Sequence, residues 1–296
     1  MPFESLLGNE TALAHLRDIL RRDRLGHAYL FSGPEGLGKR TAALEFARAW
    51  GADPRTVGVP EDKHEIAIAQ IHEVVREFSF ASPRRRAVIF DDAHRMSEEA
   101  MNALLKTLEE PPRLTLLILV THRPQALIAP LRSRCQRILF FPLADETVTR
   151  YAQERLGLGE TEAGAVAALA EGSPGTAASL AGKIGDLLAL ARELQERVLS
   201  GELNPLIETL AKIRDTEEAR RAARQRLGIL AACLREVLHA PTGRAPCLCT
   251  PAFFERMSRL DPDDLVDRIE SILDHQGLLD LNVNVGLALE DALLRL

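Results

Sequence analysis

Phe31-Ser32-Gly33-Pro34-Glu35-Gly36-Leu37-Gly38-Lys39-Arg40-Thr41 decides how the rest of this chain is read. It follows the short apolar run Ala28-Tyr29-Leu30-Phe31 and precedes an apolar-periodic stretch from Thr41 to Trp50. That order predicts a strand, a glycine-rich turn and the start of a helix. Glycines in such a turn let backbone N–H groups converge on a phosphate. The helix N-terminus adds positive partial charge, and Lys39 reaches the terminal phosphates. One position departs from the G-x-x-x-x-G-K-[ST] pattern: the residue after the lysine should offer a hydroxyl to Mg²⁺, and here it is Arg40. Thr41 is no replacement, because successive side chains on a helix point about 100° apart.

With 296 residues the chain has room for two or three domains. A formal net charge of −6 gives no chain-wide basic character, so any nucleic-acid contact needs a local patch. Arg84-Arg85-Arg86 reads as a solvated basic turn, able to touch a DNA backbone only electrostatically and without sequence preference. Cys135, Cys233, Cys247 and Cys249 are too few and too unevenly spread for a disulfide framework. Met1-Pro2-Phe3-Glu4 opens no signal-peptide pattern, and no run approaches the roughly 18–20 apolar residues of a membrane span. The expectation is a soluble, cytoplasmic protein with no membrane partner.

Outward from the phosphate loop, an amphipathic helix is expected upstream, with Leu13, Leu16, Ile19 and Leu20 on one face. Residues 51–65 read as a loop, Glu65-Ile66-Ala67-Ile68 as a short strand, and Ile71, Val74, Val75 and Phe78 as one helix face. Ala87-Val88-Ile89-Phe90 is a buried-type strand ending in Asp91-Asp92. Ser97 caps a helix from Glu98 to Glu109, with acids in its first turn and Pro111-Pro112 beyond its end. Leu116 to Val120 and Ile138 to Phe141 complete the strands. Strands alternating with helices imply an α/β fold with a mostly parallel sheet covered on both faces. After residue 143 no strand is expected: short helices surround the turn Gly172-Ser173-Pro174-Gly175, and the chain from Leu187 onward is helical. The expected division is residues 1–143, a small helical domain at 144–185 and a helical C-terminal domain at 186–296.

An acid at the carboxyl end of a strand lies over the phosphate loop and can hold Mg²⁺, which suits Asp91 and Asp92. Hydrolysis also needs a base within reach of the attacking water. Asp92 is a methylene shorter than a glutamate, so its carboxylate falls about 1–1.5 Å short of the same place, a costly displacement for in-line attack.

Several segments together carry a family resemblance. Gly26-His27-Ala28-Tyr29-Leu30-Phe31, Asp91-Asp92-Ala93-His94, Ala103-Leu104-Leu105-Lys106-Thr107-Leu108-Glu109-Glu110-Pro111-Pro112 and Leu131-Arg132-Ser133-Arg134-Cys135 resemble the AAA+ P-loop subunits of replicative clamp loaders. The C-terminal run Leu281-Asn282-Val283-Asn284-Val285-Gly286-Leu287-Ala288-Leu289-Glu290 is similar to the bacterial clamp-loader collar domain. The resemblance implies an AAA+ domain, a small helical lid and an oligomerising collar. It also implies a place in a hetero-pentamer that uses ATP to open the sliding clamp and load it on primed DNA. The implied partners are the other clamp-loader subunits, of gamma/tau and delta type, with clamp and DNA reached through the complex.

By the same resemblance, Gly33, Gly36, Gly38, Lys39, Asp91, Asp92 and Thr121 form the nucleotide site, Thr121 as the residue that reads the γ-phosphate. Arg134 is the arginine finger that enters a neighbouring subunit's ATP site. The departures are Arg40, the short acid Asp92, and Gly175 or Thr176 where ATP-hydrolysing members carry a second sensor arginine. They leave an intact finger beside a damaged site, with weak ATP or ADP binding still open to the glycine loop and Lys39. The competing reading is a working ATPase of the same family. Zinc is not expected. The four-cysteine module that related subunits carry after the phosphate-loop helix is missing from residues 49–65. Cys247-Leu248-Cys249 lacks a second ligand pair, and His64, His72, His94 and His122 show no ligand spacing. Cys135 reads as a small buried residue rather than a nucleophile.

Overall fold

β4 (Thr115–Thr121) is buried at every position, and so is β1 (Ala28–Ser32) beside it. Such unbroken apolar runs suit the middle of a parallel sheet covered on both faces. In a computed structural model the described residues are 2–22, 25–61, 63–79, 83–201, 216–240, 245–279 and 283–294. They form two units, one reaching Thr147 and including Ser173–Thr176, the other comprising Val148–Gly172 and the chain from Ala177.

The first unit holds a five-stranded sheet of order β2-β3-β4-β1-β5, in which β2 is Asp53–Val57, β3 Arg86–Phe90 and β5 Gln136–Leu139. All four pairings are parallel. Alternation along β1 and β4 divides the core into two layers. Tyr29, Phe31, Leu116, Ile118 and Val120 pack under α1 (Glu10–Arg21) and α2 (Lys39–Ala49). Leu30, Val88, Phe90, Leu117 and Leu119 pack under α3 (Ile68–Ser79) and α4 (Glu98–Glu109). The Ser97 hydroxyl accepts the Ala100 N–H at 3.2 Å, closing the first turn of α4.

Two expectations for this unit are corrected. The stretch read as a loop contains β2, paired along its whole length with β3. It is an edge strand, half-exposed and carrying Pro54, so it lacks the apolar alternation that marks a strand in sequence. The strand expected at 65–68 is reduced to one bridge between Ile66 and Met96, and Ile68 already belongs to α3. After β5 the described residues contain no further strand.

α5 (Ala129–Ser133) links β4 to β5, and α6 (Asp145–Leu156), α7 (Glu160–Ala170) and α8 (Pro174–Ala181) follow. The stretch read as a turn around Pro174 is the start of α8: Pro174 needs no amide partner at a first helical position, and Ser173 Oγ accepts the Thr176 N–H at 3.1 Å. The second unit then adds α9 (Ile184–Ser200), α10 (Glu217–Leu238), α11 (Pro251–Met257), α12 (Pro262–Leu278) and α13 (Val285–Leu294). Two polar devices hold its elements together, the first of them fully buried. Gln195 donates to the Leu248 carbonyl at 2.9 Å and accepts the Thr250 N–H at 2.6 Å. The Glu236 carboxylate accepts the N–H groups of Cys247, Leu248 and Cys249 at 2.9, 2.9 and 3.1 Å, so this cysteine pair sits on a carboxylate-capped turn. Leu281 and Asn282 of the collar-like run lie outside the described residues. No helix among the described residues is long and apolar enough to cross a membrane.

Candidate functional site

The register that pairs Ser32 with Thr121 and Phe90 with Leu119 brings the carboxyl ends of β1, β3 and β4 to one edge of the sheet. There a cavity of about 340 Å³ is lined by Gly36, Gly38, Lys39, Arg40, Asp91, Asp92, Thr121, His122 and Gly175, among others. Open parallel sheets place their ligand crevices at such strand ends. All seven residues expected at the nucleotide site lie at or beside this edge. Gly33 follows β1, where a Cβ would collide with the Phe140 carbonyl oxygen. Arg134 stands elsewhere, at the end of α5.

Lys39 begins α2 and is 6 % exposed. Its ammonium donates to the Pro34 carbonyl within the loop. Burial pushes its pKa below the ordinary lysine value, against the pull of Glu35, Asp92 and Asp91. Arg40, the residue in the hydroxyl position, turns its guanidinium toward the strand-end acid, with Nε 3.4 Å from Asp91 Oδ2. A guanidinium thus stands beside the strand-end acid expected to hold Mg²⁺. Burial, and then the neighbouring Asp92, raises the Asp91 carboxyl above its usual range, while Arg40 opposes the rise.

Gly36 meets the start of α8. It has φ 73°, and its carbonyl accepts the Gly175 N–H at 2.9 Å. A Cβ on Gly175 would lie 2.8 Å from the Gly36 backbone, so this packing excludes any side chain at 175, an arginine included.

Three further residues converge beyond β3 and β4. Asp92 takes a left-handed conformation (φ 50°, ψ 46°), which places its carboxylate 3.8 Å from His122 Nδ1. His94 stands edge-on to His122, ring centroids 4.2 Å apart, and its Nδ1 lies 3.2 Å from Thr121 Oγ1. Burial, with His122 next, pushes the His94 pKa down to about 4. The histidines show no ligand spacing along the sequence, and the fold brings two of them together with Asp92. His94 and His122 are distant in sequence, but each follows the end of one of two adjacent parallel strands. Their positions just past two apolar runs were the available signal.

Arg134 Nη2 lies 2.6 Å from Glu109 Oε1, and its Nη1 donates to the Pro130 carbonyl at 3.0 Å. Both side chains are substantially exposed, so the pair orients the guanidinium at the surface without fixing it there. Cys135 beside it is buried, and burial pushes its thiol up to about 12, which keeps it un-ionised.

A family profile described as "DNA polymerase III, delta subunit" matches residues 8–60 and 51–144. Over residues 8–144, a little under half of the chain, the sequence is thus similar to subunits of DNA polymerase III. The chain is 35% identical over 156 residues to DNA polymerase III subunit delta' of Bacillus subtilis, spanning 45% of this chain and 47% of that one. It is 34% identical over 169 residues to subunit tau of the same organism, spanning 49% of this chain and 30% of that one. The matched stretch is thus less than half the length of either relative. A solved RuvB variant from Thermotoga maritima shares the fold at a TM-score of 0.50 and 16% identity, covering 90% of this chain and 87% of that one. That likeness extends to the fold alone: a parallel sheet covered by helices, followed by helices.

Arg40 makes the state of this site testable. Arg40→Ser removes the cation beside Asp91 and supplies the missing hydroxyl. Binding of a fluorescent ATP analogue to the purified chain is expected to become Mg²⁺-dependent and about tenfold tighter, a gain of about 1.4 kcal/mol. Titration with and without Mg²⁺ checks this, and equal affinities for parent and variant would show that Arg40 does not control the site.

Proposed function

We infer that this chain is a delta-prime-like subunit of the DNA polymerase III clamp loader. Its own ATP site is degenerate, and it supplies Arg134 to the ATP site of a neighbouring subunit. The complex so formed opens the sliding clamp and loads it on primed DNA during replication. The observation that carries the reading is the Arg40–Asp91 ion pair. Mg²⁺ bridges the terminal phosphates and neutralises developing charge in phosphoryl transfer, and here a guanidinium competes for its acid. Two features support the same reading. The base position is held by the short acid Asp92, and the contact between Gly36 and Gly175 leaves no room for a side chain at Gly175, one of the two positions, with Thr176, where a second sensor arginine would stand.

Arg134 suits work on another chain's nucleotide. It is exposed, and its present partner Glu109 is a single surface carboxylate that a triphosphate can displace. A planar guanidinium can bind phosphate oxygens in two places at once as charge develops on them. The helical C-terminal region supplies the collar, and Leu287, at 65 % exposure, adds apolar surface there.

A second reading, a working gamma/tau-like ATPase, is favoured by the intact glycine loop and buried Lys39, and the tau and delta' relatives match about equally well. Co-purification separates the two. The chain mixed with gamma/tau-type and delta-type subunits is expected to enter one hetero-pentameric species at a single copy, and alone to turn over no ATP. Failure to join that species, or Mg²⁺-dependent turnover by the isolated chain, would overturn the proposal.

A further inference from the structure

Asp92, His94 and His122 each offer one ligand atom, and these atoms all lie within 4.8 Å of one another. The clamp-loader reading gives the two histidines no task. His94 is oriented from behind. Thr121 Oγ1 stands 3.2 Å from its Nδ1 and is itself fixed by accepting the Arg123 N–H at 3.0 Å. When Nδ1–H donates to that hydroxyl, Nε2 keeps its lone pair, the arrangement by which outer partners hold a metal-ligating histidine. Asp92 reaches the cluster through its left-handed backbone, a conformation that aspartate tolerates better than most residues.

We propose that Asp92, His94 and His122 form a binding site for a divalent transition-metal ion of the zinc class. Two imidazoles and one carboxylate suit Zn²⁺ or Co²⁺, whereas Mg²⁺ and Ca²⁺ take oxygen ligands. Tetrahedral coordination at about 2.0–2.1 Å per bond sets ligand atoms about 3.3 Å apart, so side-chain adjustment of about 1.5 Å at most closes the set. The site is distinct from the Mg²⁺ position that Arg40 faces beside Asp91. Asp92 and His122 also line the cavity above the phosphate loop, so an ion held by three protein ligands keeps an open position on that side. The ion ties the carboxyl ends of β3 and β4 together. This proposal goes beyond the clamp-loader role and stands independently of it.

The full chain, stripped with chelator, is titrated with Co²⁺ and, against a chromophoric chelator, with Zn²⁺. The expected result is one equivalent of Co²⁺ with visible d–d bands and no thiolate charge-transfer band. His94→Ala and His122→Ala should each weaken binding at least tenfold. Zn²⁺ should raise the thermal midpoint of the parent and not that of His122→Ala. Circular dichroism checks each variant's fold, and His122→Gln serves where His122→Ala does not fold. No stoichiometric binding overturns the proposal. So does binding that survives a variant carrying both His94→Ala and His122→Ala, or a thiolate band that puts the ion on cysteines.

Discussion

Arg134→Ala in the assembled complex is expected to abolish fast hydrolysis at the adjoining ATP site, with a rate loss on the order of 10³. A guanidinium that neutralises charge on the transferred phosphoryl acts in the transition state, so the loss should fall on the rate constant and spare nucleotide affinity. The chain itself should be little affected. Arg134 is bonded to Glu109 and the Pro130 carbonyl at a solvent-exposed position, where such pairs are worth about 1 kcal/mol or less. Arg134→Lys keeps the charge and loses the planar fork, and should recover only a small part of the rate. Single-turnover hydrolysis in a complex verified as complete by size-exclusion chromatography counts the sites that fire. The expected count is one site fewer than in the parent. A full count at the parental rate would remove Arg134 from the mechanism.

The second large effect is on stability. Phe46→Ala is expected to destabilise the sheet-containing unit by about 3–5 kcal/mol. Phe46 lies on the inner face of α2, fully buried, edge-on to Tyr29 at 5.2 Å between ring centroids and tilted against Phe31 at 6.3 Å. It is the ring that fastens the helix after the phosphate loop to the strand before it, so truncation removes both apolar burial and ring contacts. The single tryptophan, Trp50, stands immediately beyond α2 and is buried, so its fluorescence during chemical unfolding reports on this unit rather than on the helical one. A midpoint unchanged from the parent would mean that the layer under α1 and α2 repacks around the missing ring.

Much of the architecture was legible because burial on both faces of a parallel sheet leaves an unmistakable trace. Ala28–Phe31, Ala87–Phe90 and Leu116–Val120 are continuous apolar runs at central strands. Edge strands leave weaker traces. β2, half-exposed and carrying Pro54, reads as loop in sequence because only one side of it pairs and little of it is buried. Helix α4 was legible for a local reason, since Ser97 and the acids after it act within one turn. The start of α8 was hidden because Ser-Pro-Gly is equally good turn chemistry, and what decides between turn and helix is where the chain goes next.

The phosphate loop shows the division most sharply. Its glycines, Lys39 and Arg40 in the hydroxyl position are properties of consecutive residues, and they alone carry the expectation of a phosphate-binding turn with the hydroxyl missing. Where the Arg40 guanidinium goes is not a local matter. It depends on β3 ending in Asp91 within reach of α2, which brings the two to 3.4 Å. The same holds for Gly175 against Gly36, and for His94 beside His122: each pair joins segments distant in the chain through strand register and helix packing. Periodicity and turn chemistry act over a few residues and are written along the sequence. Ion pairs, close backbone approaches and ligand clusters form between segments, and only the folded sheet brings them together.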